Sequence, residues 1–292
     1  MTLSSRKSLS FSTKTSNITL SNINDDVLQI MFQRLTIKQL LEIYRTNTSF
    51  SEKKLVIEME IVNLSNIIVT NKIINFIDKI LDKSKIRKLI LNNTRFKIDG
   101  WREQFSGNTK IFENVKELQI KNTRIDENAN YFLKKYLNIE DIKSLKIRRL
   151  ILDNISFASD EDYETFNYNI EYYQNLEELI INNFNSIEGK GNDPDSINYF
   201  NELIEKIRVL VNLKKLRINH TDITAETDFD VNMVFVDVFL ETLNELENLK
   251  YLKFYKNEID EVQSNEISEG LKDRFTKNKN VWLVKKGSQK TL

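Results

Sequence analysis

One eleven-residue pattern recurs six times, and it constrains the fold more than any other feature of the chain. The copies are IRKLILNNTRF (86–96), VKELQIKNTRI (115–125), IRRLILDNISF (147–157), LEELIINNFNS (176–186), LKKLRINHTDI (213–223) and LKYLKFYKNEI (249–259). Each reads apolar-x-x-Leu-x-apolar, and five of the six add an apolar residue five places later. A short strand with two inward side chains, a turn and one further anchor cannot bury its apolar face alone. Stacked copies bury it against each other, so the repetition predicts a solenoid, an architecture that mostly binds other proteins.

Composition narrows the chemistry. The chain has 292 residues, with 43 basic and 43 acidic side chains, so no global field draws it to nucleic acid or anionic lipid. No apolar run reaches the roughly 18–20 residues of a membrane span. Cysteine is absent and histidine occurs once. Disulfides, thiolate metal sites and cysteine nucleophiles are thereby excluded. His220 falls in a turn beside Asn219 and Asp222 and reads as a surface residue. No catalytic residue, metal site or cofactor is expected. Asn, Ile and Lys are abundant, which reads partly as the codon bias of an AT-rich genome, such as that of an amoeba or of a large virus infecting one.

Along the chain, residues 1–20 carry Ser, Thr, Asn and basic residues with no acid, and read as a disordered tail. Residues 21–52 form a small helical unit. Asn24 is placed to cap a helix whose first turn holds Asp25 and Asp26. Val27, Leu28, Met31, Phe32 and Leu35 fall on one face of it. Residues 36–39 read as a break, and Leu40, Leu41, Tyr44 and Phe50 mark a second helix and its exit. In 53–85, a strand over 55–64 and a helix carrying Ile73, Ile74, Ile77, Ile80 and Leu81 suggest a degenerate first repeat. Further helices are predicted at about 101–113, 127–142, 160–174, 195–210, 231–247 and 264–277, with a closing strand at 281–284. The aromatic run from Tyr163 to Tyr173 reads as core. Residues 188–195 form a Gly/Asp loop that lacks both the P-loop spacing and the bidentate Glu of a calcium loop.

The segment INDDVLQIMFQRL (23–35) resembles the first half of an F-box, whose pattern is Leu-Pro-x-acid-x-Leu-x-x-Ile-Phe-x-x-Leu. Ile23 stands at the Leu, Asn24 at the Pro, Asp26 at the acid and Leu28 at the second Leu; Met31, Phe32 and Leu35 follow in register. The stretch 40–50 resembles the second half, with Asn47 where Cys is usual and Phe50 where Trp is usual. The resemblance implies that Ile23, Leu28, Met31, Phe32, Leu35, Leu40, Leu41 and Phe50 pack on or support the adaptor subunit of a cullin-RING ubiquitin ligase. The alternative for these helices is a terminal cap on the repeats.

The repeats, spaced 29, 32, 29, 37 and 36 residues apart, resemble the helix-containing, ribonuclease-inhibitor-like leucine-rich repeats. The fold class implied is α/β: residues 53–292 as a solenoid with parallel strands on a concave face and helices on a convex face. The family's ladder position is filled by Thr94, Thr123, Ile155, Phe184, Thr221 and Asn257. Ile155 and Phe184 cannot hydrogen-bond a turn, so irregular turns are expected there. Counting alternation along the strands puts Ile90, Gln119, Ile151, Ile180, Arg217 and Lys253 on the outer sheet face, flanked by Tyr251 and Tyr255. Three isoleucines there, expected to be solvent-accessible, mark a target-binding surface. The implied protein is a non-enzymatic substrate receptor, monomeric outside its complex, that links a target protein to the ligase adaptor. The expected location is the cytoplasm or nucleus, or the host cytoplasm if the chain is viral.

Overall fold

The computed structural model describes residues 23–46, 56–98, 110–139, 145–184, 194–221, 229–255, 257 and 261–277. The N-terminal tail, Phe50, residues 101–109 of the helix expected at 101–113, the loop at 188–193 and the strand expected at 281–284 lie outside the described residues; residues 111–113, at that helix's expected end, form a turn. Two helices come first, α1 (Asp25–Phe32) and α2 (Ile37–Thr46). Then follow β1 (Ile61–Asn63), β2 (Ile68–Thr70), α3 (Asn71–Ile80), β3 (Lys88–Asn92), β4 (Arg95–Lys97), β5 (Glu117–Lys121), β6 (Arg124–Ile125), α4 (Glu127–Tyr136), β7 (Arg149–Asp153), β8 (Ser156–Phe157) and α5 (Asp160–Ile170). The chain continues with β9 (Glu178–Asn182), α6 (Pro194–Ile207), β10 (Lys215–Asn219), α7 (Phe229–Glu245), β11 (Tyr251–Tyr255) and α8 (Glu261–Lys277). No described helix is long and apolar enough to cross a membrane.

The fold is α/β. Its centre is a seven-stranded, all-parallel sheet in the order β1-β3-β5-β7-β9-β10-β11, which is chain order. The register aligns Val62, Leu89, Leu118, Leu150, Leu179, Leu216 and Leu252 in one row, and every one of them is buried. Leu91, Ile120, Leu152, Ile181, Ile218 and Phe254 form the second inward row. Both rows pack with the apolar stripes of the helices in one continuous core. Phe96, Ile125 and Phe157, the further anchors of the first three copies, are buried there too. They lie on β4, β6 and β8, which belong to two small parallel pairs, β2–β4 and β6–β8.

Backbone bonding repeats with the sequence. The carbonyl just before each strand accepts two N–H groups from the next copy: Glu60 from Arg87 and Lys88, Arg87 from Lys116 and Glu117, Lys116 from Arg148 and Arg149, and so on to Lys214 from Lys250 and Tyr251. After β1, β3, β5, β7, β9 and β10 one residue turns left-handed: Asn66, Asn93, Asn122, Asn154, Asn183 and His220, with φ between 45° and 57°. Asn tolerates this region because its short amide can bond locally. The turns at Ile155 and Phe184 are therefore as regular as the rest, against expectation. The Asn154 N–H donates to the Asn182 carbonyl and the Asn183 N–H to the Asn219 carbonyl, as Asn122 does to Asp153. Ile155 and Phe184 simply plug the core, while Thr94 bonds the Leu64 carbonyl through its hydroxyl at 2.9 Å.

Asparagine also runs in ladders. Asn93 donates to Asn66, Asn122 to Asn92, Asn154 to Asn122 and Asn219 to Asn182, each at 2.8–2.9 Å. At the other end of the strands, Asn175, Asn212 and Asn248 donate to the Leu145, Gln174 and Val211 carbonyls at 2.8 Å. Much of the Asn content is thus structural and not a mere trace of codon bias.

The N-terminal region departs further from expectation. The supposed break at 36–39 is the start of α2: Thr36 and Gln39 form a reciprocal cap, with the Thr36 N–H on Gln39 Oε1 at 2.9 Å and the Gln39 N–H on Thr36 Oγ1 at 3.3 Å. Ile37 becomes a fully buried core residue. The strand expected over 55–64 shrinks to Ile61–Asn63, preceded by one isolated bridge between Ile57 and Leu81. In the aromatic run, Tyr163, Phe166 and Tyr173 are core, whereas Tyr168 is 57% exposed. Burial pushes the Tyr173 phenol far above its ordinary value.

Candidate functional site

The helix pair is bolted to the start of the sheet. Asn24 caps α1, its Oδ1 accepting the Asp26 N–H at 2.8 Å. Leu28 and Phe32, one turn apart, are completely buried, as are Ile37 and Leu40, and all four join the common core. The Tyr44 ring meets Phe76 of α3 edge-to-face at 5.0 Å. Leu28 and Phe32, expected among the adaptor-contact residues, are instead the stripe that anchors α1 in the core. The outward apolar side holds Val27, Ile30 and Met31, at 48%, 58% and 45% exposure. Ile23, Leu35 and Leu41 are half-buried at the margin. Of the residues expected at an adaptor contact, Met31 is exposed, Leu28, Phe32 and Leu40 are buried, and Phe50 lies outside the described residues. Spacing puts Val27 on one face with Leu28 and Phe32, yet the structure exposes it; Ile30 lies off that stripe, and its sequence signal is an apolar residue outside the periodic set.

The second candidate surface is the sheet face turned away from the helices. The register sets Ile90, Gln119, Ile151, Ile180, Arg217 and Lys253 in one row across β3 to β11. Face assignment holds, since Ile151 and Ile180 stand apart from the main core. Their accessibility does not: Ile151 is 6% and Ile180 7% exposed, and Ile90 is half-buried. Tyr251 and Tyr255 lie on β11, one at each end of the Lys253 position.

The row on one side of the isoleucines is an ion-pair chain. Glu117 takes Lys88 at 2.8 Å and Arg149 at 3.2 Å; Glu178 takes Arg149 at 3.0 Å and Arg217 at 3.2 Å. On the other side Lys121 faces Asp153 at 3.7 Å. Burial alone would raise the Glu117 carboxyl, but hydrogen bonds from Lys88 and Gln119, with the charges of Lys88 and Arg149, outweigh it and hold the group below its ordinary range. Arg217 also lies over the Tyr251 ring at 5.2 Å.

The remaining features offer less chemistry. His220 is exposed at the left-handed turn position that Asn holds in the earlier copies. Among the described residues no three His, Cys, Asp or Glu side chains are grouped to hold a metal ion. A cleft of about 350 Å³ between the starts of α4 and α5 is lined by Glu127, Asn130, Tyr131, Lys134, Glu161 and Asp162, among others. Its acids sit in the first turns of their helices, where they favour the helix dipole. Comparison of the sequence with protein-family models and with curated proteins finds no match in either.

Proposed function

We propose that the chain is a non-enzymatic substrate receptor: an F-box-like helix pair docks the adaptor subunit of a cullin-RING ubiquitin ligase, and a leucine-rich-repeat solenoid presents a target protein. The observation that carries this reading is the two-sided character of α1. A helix serving only as a lid would turn polar residues outward, yet α1 turns Val27, Ile30 and Met31 to solvent while Leu28 and Phe32 anchor it. In this reading Met31, with Val27 and Ile30, makes the contact, and Leu28, Phe32 and Leu40 support it from below. The chain catalyses nothing itself; it raises the target's effective concentration near the ligase. A second reading, a solenoid cap without adaptor, is favoured by the complete burial of Leu28, Phe32, Ile37 and Leu40.

Capture of purified adaptor by the purified chain separates them. The receptor reading expects micromolar or tighter binding that Ile30→Asp with Met31→Asp abolishes, since a few buried apolar anchors dominate such interfaces. Absence of wild-type binding, or binding indifferent to that double change, leaves the cap.

A further inference from the structure

The cleft of about 350 Å³ between the starts of α4 and α5 holds more charge than the two helices need. Five carboxylates stand at these helix heads: Asp126 and Glu127 on α4, and Asp160, Glu161 and Asp162 on α5. Each helix end supplies only about +0.5 of a charge, so the acids outweigh the dipoles. Three of the five have local work. Asp126 caps α4 by accepting the Ala129 N–H at 2.9 Å, Asp162 accepts the Ser159 hydroxyl at 2.6 Å, and Asp160 accepts the Tyr199 hydroxyl at 2.6 Å. Glu127 and Glu161 line the cleft and meet no cation in ion-pair range among the described residues. A second, independent feature shares the cleft. Asn130 is 4% exposed, and its Nδ2 donates to the Asp162 carbonyl at 2.9 Å. That bond fixes the amide, yet its Oδ1 is buried and accepts no hydrogen bond. Buried acceptors are nearly always paired, so this one calls for a donor.

We infer that this cleft binds the ammonium head of a lysine side chain from a partner protein. An ammonium carries three N–H donors and no acceptor. Asn130 Oδ1 and the carboxylates of Glu127 and Glu161 offer it acceptors on three separate side chains. A planar guanidinium instead favours both oxygens of one carboxylate, and the acids are not grouped to hold a metal ion. Ile98 and the Tyr131 ring give the methylene stem of a lysine an apolar wall. The chain's own cations limit the ligand to one charge. Lys134 lines the cleft about 10 Å along α4 from Glu127, and Lys135 donates to the Tyr131 hydroxyl at 2.7 Å. A free polyamine would bring further cations toward them, whereas a protein can offer one lysine between neutral residues. The site lies on the helices, apart from the sheet face and from α1, and does not depend on the receptor reading.

The test measures fluorescence anisotropy of a labelled Gly-Leu-Lys-Leu-Gly peptide, its termini blocked, on the full chain. Saturable binding tighter than roughly 1 mM is expected, weakened roughly tenfold or more by Glu127→Gln with Glu161→Gln. Glu261→Gln, which removes a first-turn acid from α8, should leave it unchanged. Equal melting temperatures of the variants exclude unfolding as the cause. Side-chain amide NMR locates the contact. The Asn130 NH2 signals should shift with peptide, while those of Asn201, another buried amide whose Oδ1 lacks a donor, stay in place. No saturable binding in that range, binding indifferent to the double change, or an unmoved Asn130 signal would overturn the inference. So would equal binding of the same peptide with acetyl-lysine, which has lost the charge. Equal binding of the arginine peptide would overturn the ammonium class, and tighter binding of spermidine than of the peptide would overturn the lysine source.

Discussion

At the scale of single residues, asparagine does work that composition disguised. Asn154 both adopts φ 52° and donates to Asn122 at 2.8 Å. Two substitutions separate these roles. Asn154→Gly keeps the left-handed turn and loses the exposed ladder bond, costing about 0.5–1 kcal/mol. Asn154→Val forces a β-branched residue into that region and should cost about 2 kcal/mol or more. Denaturant melts of both rank them; equal costs would mean the backbone conformation is not what selects Asn there. Glu117 gives the pH arm. Its folded-state acidity lies below the ordinary value of 4.5, so its stabilisation is complete above that pH and fades as pH falls through the folded value. Partial exposure of the pairs limits it to about 1 kcal/mol. Stability should therefore drop on acidification below the usual glutamate range, and Glu117→Gln should flatten part of that slope.

Elements were legible where one physical signal dominated. The Leu columns follow from strict alternation, and the α4 to α8 positions follow from apolar stripes, because burial and period coincide there. What misled was orientation. On α1 the residues 27, 28, 31, 32 and 35 share a broad stripe in the sequence, and nothing local says which half meets the sheet. The same gap hid the burial of Ile151 and Ile180, 6% and 7% exposed, which alternation along a strand does not report. The start of α2 differs for another reason: Thr36-x-x-Gln39 is a helix-start signature, which competes with the reading of 36–39 as a break and wins. The assignment of α1 has a direct consequence for stability. Leu28→Ala and Phe32→Ala should each cost roughly 2–5 kcal/mol. Ile30→Asp or Met31→Asp should stay within about 0.5 kcal/mol, since both side chains are exposed. Thermal melts with the reverse ranking would invert the orientation of the helix on the core.

For the whole molecule, the decisive property is that the strands lie in the sheet in chain order, so each meets only its sequence neighbours. Helices follow the same rule, α5 against α6, α6 against α7 and α7 against α8. Aromatic contacts run along this axis as well, from Phe157 to Phe184, Phe184 to Phe200 and Phe200 to Phe235, with ring centroids 5.5–6.0 Å apart. Stability in such an arrangement is approximately a sum of unit terms and nearest-neighbour terms. A defect placed in the middle should then be felt most by the adjoining units. Leu150, 1% exposed on the central strand β7, is the place to test it. Leu150→Ala should lower global stability by roughly 2–5 kcal/mol. Native-state hydrogen exchange should show the protection loss greatest in β5, β7 and β9 and fading toward β1 and β11. A uniform loss across all seven strands would instead mean that the chain unfolds as one cooperative block, and that the sheet's order in space does not translate into graded coupling.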